Sequence, residues 1–203
     1  MSVRPLRLAL LATVLAVLSS PLQAATIVID FESLNEGDFV GGLLGPDVTF
    51  SNASILTAGS SLNELEFPPQ SGTNVAVDTG GAMRLDFAAP ISSFSAYFTY
   101  AAPLTLEFFD ASSNSLGVVT SLFGENYVST GNPTNELLSA AFAGTAFLTI
   151  SGSPLGGSFL IDDVSFETTD VAPVPEPSTI LLIGSGLAAW GYSKRRRRVP
   201  TES

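Results

Sequence analysis

Between residues 25 and 170 apolar side chains alternate with polar ones at a period of two, and no helical periodicity of useful length interrupts them. The alternation is clearest in Thr26 to Phe31, Met83 to Phe87, Ser93 to Tyr100, Leu104 to Phe109, Ala146 to Ile150 and Phe159 to Phe166. Turn formers separate these runs: Gly80-Gly81, Ala88-Ala89-Pro90, Asp110 to Gly117 and Gly152 to Gly157. A stretch with many short strands and little helix buries its apolar faces by packing sheet on sheet. The expected fold class is therefore all-β, an antiparallel β-sandwich of jelly-roll type. All fourteen phenylalanines fall in this region, enough to fill the space between two sheets.

The two flanks read differently. Residues 1–24 carry Arg4 and Arg7, the apolar run Leu8 to Leu18, the breakers Ser19-Ser20-Pro21 and a small-residue site at Leu22-Gln23-Ala24. That order is a secretory signal peptide, which predicts export and a mature N-terminus near Ala25 or Thr26. At the other end a Pro-rich linker, 171–178, contains Pro175-Glu176-Pro177. A membrane helix with its basic stop, 179–198, and a short tail, 199–203, follow. The apolar part, Thr179 to Tyr192, spans only ~21 Å as a helix against a hydrocarbon core of ~30 Å. Trp190 and Tyr192 then sit near the interface, and the side chains of Lys194, Arg195, Arg196, Arg197 and Arg198 snorkel. Basic clusters stay cytoplasmic, so both ends lie inside and the middle outside.

These C-terminal residues resemble the PEP-CTERM sorting tail, which joins a Pro-Glu-Pro motif, a hydrophobic helix and an arginine-rich end. The resemblance covers Val174 to about Arg198. It implies recognition in the membrane by an exosortase-type processing enzyme, cleavage at or near Pro175, Glu176 and Pro177, and a Gram-negative, exopolysaccharide-making host. Two prolines that forbid helix and remove two backbone donors suit a processing site, because they keep the segment extended and accessible. Gly184 to Ala189 also fits a Gly-x-Gly-x-x-Ala pattern, but no strand precedes it and no acidic ribose partner follows, so dinucleotide binding is rejected.

Composition narrows the chemistry of the middle. The chain has no His and no Cys, which removes Ser-His-Asp and Cys-His nucleophiles, His- or Cys-ligated metals and disulfides. Seventeen of the nineteen acids but only one of the eight bases, Arg84, lie between Ala25 and Pro173. A domain with that balance repels phosphates, so nucleic acid is excluded as a partner. A divalent cation or a cationic partner is the natural counter-charge.

Asp162 shares a period-two phase with Val164 and Phe166, which predicts that it points inward. A buried carboxylate needs partners. These are either backbone N–H groups or a structural Ca²⁺ in an oxygen shell supplied by Asp30, Glu32, Asp162 and Asp163 where the first and last strands meet. Arg84 is expected to pair with a cross-strand acid. Glu36-Gly37-Asp38 and Glu64-Leu65-Glu66 offer carboxylate pairs of the kind a glycosidase uses, and their simpler reading is solvated loop charge. Asp110 to Gly117 lacks the Gly and Glu of a calcium loop and reads as a hairpin turn.

The strand order resembles secreted jelly-roll modules of the carbohydrate-binding type, in which a strand like Ile29 to Glu32 lies beside one like Ile161 to Phe166. Such modules imply aromatic platforms for sugars, and Tyr97 and Tyr127 are the candidates, with Phe98 and Tyr100 on the core face. The function expected is that of an exported, non-enzymatic cell-surface or extracellular-matrix protein associated with exopolysaccharide. It is anchored first in the inner membrane and then held at the surface or secreted. The alternatives are a glycan-binding module of defined specificity and a carboxylate-based glycoside hydrolase.

Overall fold

The computed structural model describes residues 26–168, together with Leu187. The first of two compact units, Met1–Asp170 and Val171–Ser203, holds all of these but Leu187. The expected signal peptide, the Pro-Glu-Pro motif, the basic stop and the membrane helix lie outside the described residues, apart from Leu187, which is helical. Among the described residues no helix is long and apolar enough to cross a membrane.

Ten strands make up the β-domain: β1 (Thr26–Ile29), β2 (Val48–Ser51), β3 (Ala53–Thr57), β4 (Asn74–Asp78), β5 (Met83–Tyr100), β6 (Thr105–Phe109), β7 (Ser115–Thr120), β8 (Glu136–Ala140), β9 (Thr145–Ser151) and β10 (Phe159–Thr168). Every pairing between them is antiparallel.

β5 organises the architecture. Its first half pairs with β2 and β9, and the ladder continues through β6 to β7. Its second half pairs with β8 and β10, and β10 carries β4 and then β3 beside its start and β1 beside its end. One strand thus contributes to both layers. The alternation predicts two strands broken by a turn at Ala88-Ala89-Pro90, whereas the chain runs through as one strand of 18 residues. Pro90 is tolerated because the β9 ladder skips there, jumping from Asp86 to Ile91, so the missing N–H is not needed for that pairing.

The layers enclose one apolar core. Leu85 and Phe87 from the first half of β5 and Phe94, Phe98 and Tyr100 from the second all point into it, with Phe108, Leu148, Ile161 and Phe166 from other strands. Phe98 and Tyr100 are fully buried, as alternation places them. Aromatic contacts such as Phe87 with Phe166, 5.0 Å between centroids, tie strands of different layers together. The turn before β10 requires glycine: Gly156 has φ 84, and a Cβ there would lie 2.5 Å from the backbone nitrogen of Gly80.

We predict that Phe98→Ala costs about 3–5 kcal/mol by opening a cavity in the core, whereas Leu122→Ala, at a side chain 77% exposed, changes stability by less than ~0.5 kcal/mol. Urea unfolding of the two variants measures both.

Candidate functional site

Three of the acids singled out in the sequence, Glu32, Asp162 and Asp163, bond to one loop, residues 70–74. Asp162 Oδ2 accepts the backbone N–H groups of Gln70 at 2.8 Å and Ser71 at 3.0 Å, and Asp162 Oδ1 accepts that of Asp163 at 2.8 Å. Asp163 Oδ1 accepts the Ser71 hydroxyl. Glu32 Oε1 accepts the N–H groups of Thr73 at 2.8 Å and Asn74 at 2.7 Å. Gly72 fits between the clasps with φ 54, and a Cβ there would lie 2.3 Å from Glu32 Cδ. Among the described residues Asp30 accepts only the N–H of Glu32. Among the described residues no group of three or more acids is placed to hold a metal ion, so these four acids do not share one centre. Of the two kinds of partner open to Asp162, the structure supplies backbone N–H groups.

Asp162 is buried, but not where its phase puts it. Between Asp162 and Ser165 the β10 register slips by one residue against β5, and Asp163 takes φ 46. The bulge reverses the alternation. Ile161, Val164 and Phe166 face the core, while Asp162 stands opposite Tyr97 on the outer face, where the loop covers it. A second small cluster, Leu62, Val75 and Leu160 with Phe67 against it, packs on that same outer side.

Desolvation under the loop pushes the Asp162 carboxyl up to about 6, against its three N–H donors and with help from the charge of Asp163. The exposed clasps shift the other way. Glu36, bonded to Ser61 and the Thr57 N–H, Glu66, bonded to Ser129, and Asp110, bonded to Asn114 in the β6–β7 turn, are all held below the usual carboxylate range by those hydrogen bonds. The Tyr100 hydroxyl, buried and bonded to Glu136, is pushed up to about 12. The carboxylates at 36, 38 and 66 thus fasten loops, Asp38 by accepting the Asn35 N–H.

Arg84 departs from its expected pairing. Its partner is Asp86, two residues along the same strand and on the same face, with Nε to Oδ2 at 2.8 Å, and its guanidinium lies 3.6 Å from the centroid of the Phe147 ring. Tyr127 stacks on Phe67 at 5.4 Å and 28°, bracing the loop above Asp162. Tyr97 lies on the outer face of the β5–β10 pair, half-buried, beside the exposed Leu137 of β8.

An open groove of about 410 Å³ lies across β10, β5 and β8, and its lining includes Thr26, Ser93, Ser95, Ser139, Ser165 and Glu167. Register explains the assembly. Ser165 stands opposite Ser95, and Ser95 opposite Ser139, so three hydroxyls form a row across three strands. In the next row Thr26 faces Glu167, which faces Ser93. Sequence reasoning missed this site because serine in the polar phase of a strand reads as ordinary solvent-facing surface. The available signal was Ser93 and Ser95 recurring in the polar phase of β5, with single serines in β8 and β10.

The comparisons with known proteins bear on the tail. A family model for a protein-sorting motif matches 173–198, taking in Pro175, Glu176 and Pro177, the apolar run and the basic stop. Residues 173–198 are a PEP-CTERM protein-sorting motif. No curated protein sequence matches the chain. Among solved structures it is similar to a DUF4465 family protein from Bacteroides caccae, with 10% identity, TM-score 0.46 and coverage of 71% of this chain and 100% of that one. It is also similar to the K1 cleaved adhesin domain of Lys-gingipain from Porphyromonas gingivalis, with 12% identity, TM-score 0.43 and coverage of 72% and 99%. A third is the CBM22-1 xylan-binding domain of Paenibacillus barcinonensis Xyn10C, with 12% identity, TM-score 0.41 and coverage of 75% and 100%.

The PEP-CTERM motif implies an exported protein whose precursor is anchored in the membrane and processed there by an exosortase. The β-domain ahead of the motif carries every clasp and groove described above.

Because the folded Asp162 carboxyl is raised, its contribution to stability is complete below its unfolded pKa near ~4 and is lost as pH rises through about 6. Asp162→Asn removes that titration and turns one acceptor oxygen into a donor facing N–H groups. We predict that wild type is more stable than this variant by a margin that narrows from pH 4 to pH 7, and that amide exchange at Gln70 and Ser71 accelerates in the variant. Urea midpoints across that range and hydrogen exchange by NMR measure the two effects.

Proposed function

We propose that this chain is a non-enzymatic cell-surface or extracellular-matrix protein, sorted and shortened through its tail and associated with exopolysaccharide. The observation that carries the reading is the PEP-CTERM motif at 173–198. The signal peptide read in residues 1–24 supports it from the other end. The β-domain adds an open groove lined with hydroxyl groups, a surface suited to the hydroxyls of a sugar chain. A non-enzymatic role is favoured over glycoside hydrolysis because that chemistry uses two carboxyl groups across a cleft, and among the described residues Glu167 is the one acid lining the groove.

The test compares the wild-type chain with Pro175→Ala/Pro177→Ala in cells that possess the sorting enzyme. The prolines keep the linker extended, whereas alanines let the apolar helix extend back through Glu176 while its length downstream is unchanged. Wild type is expected to lose its tail and to co-sediment with exopolysaccharide, and the double variant to remain full-length in the membrane fraction. Intact-mass measurement showing Trp190 and the arginines retained in both forms overturns sorting. Wild type that stays in solution when exopolysaccharide is pelleted overturns the association.

A further inference from the structure

We propose that the groove binds a polysaccharide bearing free amino groups, with the Glu167 carboxylate receiving a sugar ammonium and Ser95, Ser139 and Ser165 receiving hydroxyls. This rests on the exopolysaccharide reading above and names the substrate class.

The argument starts from how the acids are used. Asp78, Glu136 and Asp162, like the other clasps, spend their oxygens on N–H and hydroxyl donors of this chain. The Glu167 side chain has no hydrogen bond or ion pair among the described residues, and it stands half-exposed at the groove wall. Nor do the hydroxyls of Ser93, Ser95, Ser139 and Ser165 have a partner there, although each faces the groove from a strand that fixes its position. Adjacent strands lie ~4.8 Å apart, so the row from Ser165 through Ser95 to Ser139 spans ~10 Å, a rigid line of donors and acceptors. Beyond the groove's lining, the next pair on the same face of β5 and β8, Tyr97 with Leu137, offers apolar surface on which the carbon face of a sugar ring can rest.

Charge then selects among polysaccharides. Arg84 is the only base among the described residues, and it is occupied by Asp86 and the Phe147 ring on the other layer. Among the described residues no side-chain cation is free to meet a uronate or sulfate, and the field of the seventeen acids repels both. An ammonium on a sugar meets a carboxylate that no described residue engages, in a groove of the same sign, an arrangement that strengthens the hydrogen bond.

The exported chain, purified and folded, is titrated at neutral pH and low salt with glucosamine oligomers, N-acetylglucosamine oligomers of equal length and uronate oligomers. Glucosamine oligomers are expected to bind at least about tenfold tighter than the acetylated ones, and uronates not to bind. Glu167→Gln is expected to bring the amine preference close to one. Glu107→Gln, which removes a carboxylate on the outer face of the other layer, should leave the preference intact. Ser139→Ala with Ser165→Ala should weaken both amino sugars. Equal binding of the two oligomers overturns the proposal, and so does an equal loss of preference in the Glu167 and Glu107 variants, which would mean bulk charge. If the cell's exopolysaccharide binds without any amine preference, the substrate class alone fails. If it does not bind at all, the exopolysaccharide reading fails with it.

Discussion

A carboxylate accepting backbone N–H groups from a distant loop is the interaction on which this domain depends. Exported modules without a large core often use disulfides, and acidic ones can use ion pairs, but this chain has no cysteine and the described residues contain a single ion pair, Arg84 with Asp86, on the surface. Buried carboxylates are tolerable only when donors replace the lost water. Asp78 shows the solution most completely: it is 2% exposed and accepts the N–H groups of Ser158 and Phe159 and the Ser158 hydroxyl, 80 residues away in sequence. Hydrogen bonds to an ionised acceptor are roughly twice as strong as neutral ones, and the buried amide of Asn126, which accepts the Tyr100 N–H, adds a neutral clasp beside the acids.

These clasps shape the surface as well as the interior. Asp162 reaches over 92 residues to Gln70, and Glu66 over 63 to Ser129, so the long segment between β3 and β4 is fastened at both its middle and its end. That segment covers the outer face of the β-layer over β4 and the start of β10, with Phe67 stacked on Tyr127 as a brace. The cover stops at Tyr97. Beyond it the same face lies open, and the polar groups that a loop would have engaged are left to the groove. The covered and open halves of one sheet face are thus the two outcomes of one device, present over Asp162 and missing over Ser95 and Glu167.

The sequence was readable where burial alone decides the answer. Period-two alternation placed Phe98 and Tyr100 in the core and Tyr97 outside it, because on a regular strand phase is face. It failed at Asp162, where one extra residue inverts the phase, and the αL conformation of Asp163 that makes this possible leaves no mark a composition rule detects. It also failed at Ala88-Ala89-Pro90, since a proline ends a strand only where its N–H is needed. The short strands β2, β3 and β4 were harder still, being four or five residues long. The loop clasps could not be read at all, because an acid and the N–H it grips lie tens of residues apart and any backbone N–H is an equally good donor. The groove went unseen for a related reason: its serines come from strands that are neighbours only in register.

The position of β10 connects the fold to the tail that follows it. The last strand is central in its layer, with β5 on one side and β4 and β1 on the other, and its Ile161, Val164 and Phe166 are core residues. Without it β1 has no partner, the β3–β4 hairpin is cut off from β5, and the clasps of Asp162 and Asp163 are absent. A chain exported from its N-terminus therefore cannot complete this layer until β10 has emerged, and the sorting motif begins at residue 173, a few residues after β10 ends at Thr168. Among the described residues the buried core runs from Ile29 to Phe166, all of it ahead of the Pro-Glu-Pro motif. The same topology that makes the domain wait for its last strand also sets every described core residue before the point at which the motif begins.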